Sequence, residues 1–247
     1  DHIRERRRDP KALSAALRRL ALVLSARGQY AAAGTRARRA IELVEPLDGE
    51  TRSLSAAWGT LGEILAGQRR RPEASTAMQK AIDHAKAAFG DDDAFVVEEY
   101  NGFALNREEM GDVEGAEAIY RRNLDLLVRT KGRGSLQTAR TLALLSNNLD
   151  RQAKSLEAEV RLRQAIAIRE RDLGPGNPDT LRSLGNLVGL LIKVGKYDEA
   201  AALQSRVIAL RSALPERNRE EGIADLGRMG DILSKQGKVD APIDYQR

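Results

Sequence analysis

Few side chains in this sequence have the type and spacing for covalent chemistry. His2 and His84 are the only histidines among 247 residues, and there is no cysteine. A histidine works as a base or a metal ligand only with a nucleophile or further ligands beside it. Neither histidine has such company in the sequence, and His84 reads as an ordinary helical position. Asp91, Asp92 and Asp93 offer hard oxygen ligands, but a calcium loop spaces its ligands and closes on a glutamate. The triplet instead suits a solvated turn at a helix start, where carboxylates meet free N–H groups. Gly132-Arg133-Gly134 is too short for a dinucleotide fingerprint and follows a helical stretch, and Gly195-Lys196 lacks the Ser or Thr of a phosphate loop. The expectation is a chain that is not an enzyme, with no catalytic residue, no metal and no cofactor.

What remains is charge. Lysine and arginine number 41 against 36 aspartates and glutamates, but 11 of the former and 5 of the latter fall in residues 1–45, which leaves 30 against 31 in the rest. A binder of nucleic acid needs a continuous basic track and, for single strands, aromatic platforms. Neither is visible, and aromatic residues make up only 4%. The cluster Arg4-Glu5-Arg6-Arg7-Arg8 reads as the solvated end of a preceding helix, with residues 1–10 as helix end or linker. No run of 18 apolar residues occurs, so no membrane span is expected. The absence of cysteine fits a reducing, cytoplasmic setting. The sequence begins at Asp1, so a removed leader or an upstream domain stays open.

The elements that carry these charges form an array. The cassettes Gly28-Gln29-Tyr30-Ala31-Ala32-Ala33, Gly111-Asp112-Val113-Glu114-Gly115-Ala116, Gly195-Lys196-Tyr197-Asp198-Glu199-Ala200 and Gly237-Lys238-Val239-Asp240-Ala241 recur at multiples of about 42 residues. The same step places Arg69 and Ala153 at the two missing anchors. Five residues after the anchors stand Ala33, Ala74, Ala116, Ala158, Ala200 and Pro242. Eight before stand Leu20, Leu61, Phe103, Leu145, Leu187 and Met229, and eleven before stand Leu17, Trp58, Tyr100, Leu142, Leu184 and Leu226. Apolar residues three apart, with another four later, make one stripe on an α-helix; Arg107 interrupts it in the third repeat. Each repeat is thus a helix, a tight turn and a second helix, expected over 11–50, 51–92, 93–134, 135–176, 177–217 and a partial 218–247. Glycine suits a left-handed anchor, where Arg69 and Ala153 would each cost roughly 1 kcal/mol. The joints carry helix-start chemistry, clearest at Asn177, which can cap a helix that begins at Pro178. The partial last repeat, with Ile243 and Tyr245 still to be covered, suggests continuation of the chain or self-association there.

The pattern of Gly, then Tyr or Val, then Ala between two helices resembles the tetratricopeptide repeat family. The 42-residue period and the joint Leu173-Gly174-Pro175-Gly176-Asn177-Pro178-Asp179-Thr180-Leu181 are closer to its kinesin light chain-like branch. The resemblance spans about Lys11 to Arg217. It implies an all-α, right-handed superhelical solenoid that binds protein or peptide segments in a concave groove, as a regulatory or adaptor part of a larger protein. The alternatives are a structural self-association module and a nucleic-acid-binding α-solenoid.

In such a solenoid the first helix of each repeat lines the concave surface. Its positions off the apolar stripe give Glu98, Asn101 and Glu108 in the third repeat, Arg140, Asn147 and Arg151 in the fourth, and Arg182, Asn186 and Lys193 in the fifth. These nine residues are the candidate peptide-binding groove, acidic at one end and basic at the other. In the kinesin light chain-like branch, paired asparagines near this point hold the main chain of extended peptides. By resemblance Asn101 and Asn186 stand there, with their pairs replaced by Gly102 and Gly185, which leaves charge as the selector. Gly59, Gly67, Gly185, Gly189 and Gly227 each cost about 1 kcal/mol inside a helix. They make room either for a neighbouring helix or for a ligand backbone.

Overall fold

A computed structural model describes residues 9–213 and 219–237. Among these every regular element is an α-helix: α1 (Pro10–Ala26), α2 (Tyr30–Val44), α3 (Thr51–Gly67), α4 (Arg71–Phe89), α5 (Ala94–Glu109), α6 (Val113–Lys131), α7 (Leu136–Arg151), α8 (Ser155–Leu173), α9 (Pro178–Lys193), α10 (Tyr197–Ser212) and α11 (Arg219–Lys235). Two compact bodies are formed, residues 1–130 and 131–247. In the first, α1 packs on α2 and α3, α3 on α4, and α4 on α5; in the second the successive contacts run from α7 through α11.

The turns inside the helix pairs have one geometry. Gly28, Gly111, Gly195 and Gly237 all have positive φ, and Arg69 and Ala153, each at φ 60°, are the described non-glycine residues that share it. The amide after each of the first five anchors donates to the carbonyl five residues back: Gln29 to Leu24, Arg70 to Leu65, Asp112 to Arg107, Lys154 to Leu149, Lys196 to Leu191, at 2.9–3.0 Å. This is the Schellman closure, which satisfies carbonyls the helix end would leave bare. Arg107 interrupts the apolar stripe harmlessly because its Nε reaches Asp112 Oδ2 at 2.6 Å in the turn itself.

The small column is sealed. Ala33, Ala74, Ala116, Ala158 and Ala200 are each 0% exposed, where the two helices of a pair cross closely. Pro242, Ile243, Tyr245 and the cluster Arg4 to Arg8 lie outside the described residues. The joints behave as helix starts: Asp93 Oδ1 accepts from Phe95 N, Ser135 Oγ from Thr138 N and Asn177 Oδ1 from Asp179 N, with Pro178 in the first turn. Asp91 pairs with Lys86 at 3.1 Å. The apolar column eight residues before the anchors is buried at Leu61, Leu145 and Leu187 and half-buried at Phe103 and Met229, but Leu20 is 43% exposed. It was expected in the core; among the described residues no helix precedes α1, so its outer side stays open.

Candidate functional site

In the second body the charged faces of α7 and α9 come together. Arg140, Asn147 and Arg151 are spaced seven and four residues apart, and Arg182, Asn186 and Lys193 four and seven apart, so each set shares one helical face. All six are exposed. The two faces touch: Asn186 Nδ2 donates to Asn147 Oδ1 at 3.5 Å, and Lys193 Nζ donates to the Asp150 carboxylate at 2.6 Å and to its carbonyl at 3.0 Å. Arg182 pairs with Asp179 one turn earlier on its own helix. A Cβ at Gly185 would meet the Arg228 guanidinium of α11 at 3.2 Å, so a further cation lies over this face, while a Cβ at Gly189 would point into open space.

The third-repeat candidates lie elsewhere. Asn101 is 1% exposed and accepts from Asn123 Nδ2 at 3.0 Å; the same amide donates to the Val97 carbonyl. Glu108 is 4% exposed and accepts from the buried Tyr120 hydroxyl at 3.2 Å. Both were expected on the groove lining and are instead polar ties between α5 and α6, because α6 covers that side of α5. Glu98 is half-buried on α5. His84 is half-buried on α4. No group of His, Asp and Glu that could hold a metal occurs among the described residues.

A different charged cluster in the first body has no counterpart among the candidates. Arg18 of α1 donates from Nε to Thr60 Oγ1 of α3 at 3.2 Å. The Glu99 carboxylate of α5 lies against α3 at Gly59, where a Cβ would stand 2.8 Å from Oε2. Burial, then the nearby Glu63, push Glu99 up to about 7, against the pull of Arg18, and Glu98 adds to the rise. Burial also lowers the Arg18 pKa, with Glu99 and Glu63 opposing it. The sequence signal was Gly59 itself: one of its two readings, room for a neighbour, is met by a carboxylate. Gly67 likewise faces the Tyr30 ring.

These helices match a known repeat. A tetratricopeptide repeat profile matches residues 12–87 and 95–171, and a second profile of the same description matches 180–214. No curated protein matches the sequence. Among solved structures, BtubC (BKLC) from P. vanneervenii is similar at TM-score 0.72 and 20% identity, over 84% of this chain and 85% of that one. A Podosopora anserina protein with nearly identical, kinesin light chain TPR-like repeats gives TM-score 0.66 and 18% identity over 83% and 97%. A Rap protein complexed with Competence and Sporulation Factor gives TM-score 0.66 and 16% identity over 87% and 62%. At such identities the likeness is one of fold.

Proposed function

The chain belongs to the tetratricopeptide repeat family, and from that premise we propose that it is a non-catalytic adaptor that binds extended acidic segments of protein on the exposed face of α7 and α9. Repeats of this family generally mediate protein–protein interaction. The observation that carries the reading is the convergence of Arg140, Arg151, Arg182 and Lys193 around the touching amides of Asn147 and Asn186. An amide both donates and accepts, so it can pair with a peptide group whatever the side chain, while the surrounding cations select acidic neighbours. Gly189 adds to this. It costs the helix about 1 kcal/mol relative to alanine, has no packing neighbour that explains it, and lets a ligand backbone approach α9.

A random peptide array probed with the chain tests the reading. Retained peptides should be enriched in Asp and Glu. The combined substitutions Arg140→Glu, Arg182→Glu and Lys193→Glu should abolish retention with helicity unchanged by circular dichroism. A retained set without charge bias, or one indifferent to the substitutions, overturns it. A steep salt dependence with nucleic acid in place of peptide would favour the nucleic-acid alternative, and a concentration-dependent mass the self-association one.

A further inference from the structure

The first body holds a cleft of about 510 Å³ between α2 and α4, floored by α3. Its floor is Trp58, Leu61 and Leu65, with Ile41 and Ala77 on the walls and Arg38, Glu45 and Lys80 among the residues at the rim. A volume of this order is that of a small-molecule site.

The second body shows why this cleft is open. Counted from the anchors, Arg38 and Glu45 of α2 and its end correspond to Arg163 and Glu170 of α8, and Glu73 and Lys80 of α4 to Glu199 and Arg206 of α10. In the second body these charges span the gap: Arg163 pairs with Glu199, and Arg206 meets Glu170 at 2.9 Å in ion-pair geometry. In the first body neither pair forms. Glu73 turns back to Arg70 at the N-cap of its helix, and Lys80 Nζ sits 4.1 Å from the centroid of the Trp58 ring. Arg38 and Glu45 have no ion pair or hydrogen bond among the described residues. The filling side chain is missing too, since Leu203, which packs on the core of the second body, corresponds to Ala77. Trp58 replaces the buried Leu184 and stays half-exposed.

We propose that this cleft is a binding site for a small apolar carboxylic acid, whose body stacks on Trp58, Leu61 and Leu65 and whose carboxylate is held by Arg38 and Lys80. The sign of the ligand follows from the balance of lining charges that no neighbour pairs, Arg38 and Lys80 against the single carboxylate of Glu45. Glu42 is paired with Arg39 at 2.9 Å and Glu73 with Arg70. Arg38 makes no ion pair or hydrogen bond among the described residues and only a longer-range attraction to Glu73, and Lys80 is held by a ring face alone, an interaction worth less than a charge-assisted hydrogen bond to a carboxylate. Binding thus transfers the Lys80 ammonium from the indole to the ligand and leaves the indole face to the ligand's apolar body. This site lies in a different body from the α7–α9 face and does not depend on that reading.

Trp58 is the only tryptophan, so its emission reports on this cleft alone. Titration of the full chain with N-acetylphenylalanine should give a saturable change in emission. N-acetylphenylalanine amide, which lacks the charge, should bind at least about tenfold more weakly, a difference of about 1.4 kcal/mol. Arg38→Ala and Lys80→Ala, read by calorimetry because the second alters the starting emission, should each weaken the acid by about tenfold. Glu45→Gln should not weaken it. No saturable change at millimolar acid, equal affinity for acid and amide, or an unaffected Arg38→Ala of native helicity would each overturn the proposal. So would a peptide with a carboxy-terminal phenylalanine that binds more than tenfold tighter than the free acid, since the occupant would then be a chain end.

Discussion

Glu99 is a carboxylate held where its charge is costly. Its head rests on α3 at Gly59, Glu63 stands on the same helix, Glu98 is its neighbour on α5, and Arg18 of α1 supplies the one opposing charge. With a pKa raised from 4.5 to about 7, the folded chain keeps a proton that the unfolded chain releases. Over that window the native state binds more protons, so this group makes stability fall as pH rises from about 4.5 through 7, by at most about 3 kcal/mol. Glu99→Gln keeps the shape and removes the titration. Urea midpoints at pH 5 and pH 8 should therefore differ clearly for the native chain and much less for the variant, with the variant the more stable at pH 8. Equal slopes for the two would show that Glu99 ionises in the folded chain as freely as in water.

The turns within helix pairs are where element-level logic is most exposed to test. Gly195 and Ala153 occupy equivalent left-handed anchors, at φ 78° and 60°, closed by the same hydrogen bonds. A Cβ is strained there, so Gly195→Ala should destabilise by about 1 kcal/mol. Ala153→Gly should gain less than that, because glycine also loses more freedom on folding. Thermal or urea denaturation of the two variants gives both signs in one experiment; a loss at Ala153 would mean the turn tolerates a side chain without strain. Such positions were legible because a helix end, its glycine and the small residue five later are local facts of the chain. The caps at Asp93, Ser135 and Asn177 were legible for the same reason. Asn101 and Glu108 were not, since their place depends on which side of α5 the next helix covers, and a count along α5 alone cannot give that. Nor was the Trp58 cleft, where an apolar stripe residue meets an alanine instead of a leucine, and two potential ion pairs stay unmade.

At the scale of the molecule, repeats that touch only their neighbours make stability a sum of local terms. Each compact body has its own buried cluster, one around Ala40, Ile64 and Leu65 in residues 1–130, another around Leu184, Leu191 and Val207 in residues 131–247. The six exposed residues of the proposed peptide face all belong to the second body. Residues 131–247 made alone should then give a helical spectrum and a cooperative urea transition. They should also retain the acidic peptides selected by the full chain, within about threefold in affinity, a difference of well under 1.4 kcal/mol. Helicity without binding would show that α7 and α9 do not suffice as the ligand's seat. Loss of helicity would show that the second cluster cannot fold without residues 1–130, and peptide affinity would then be an output of the whole array.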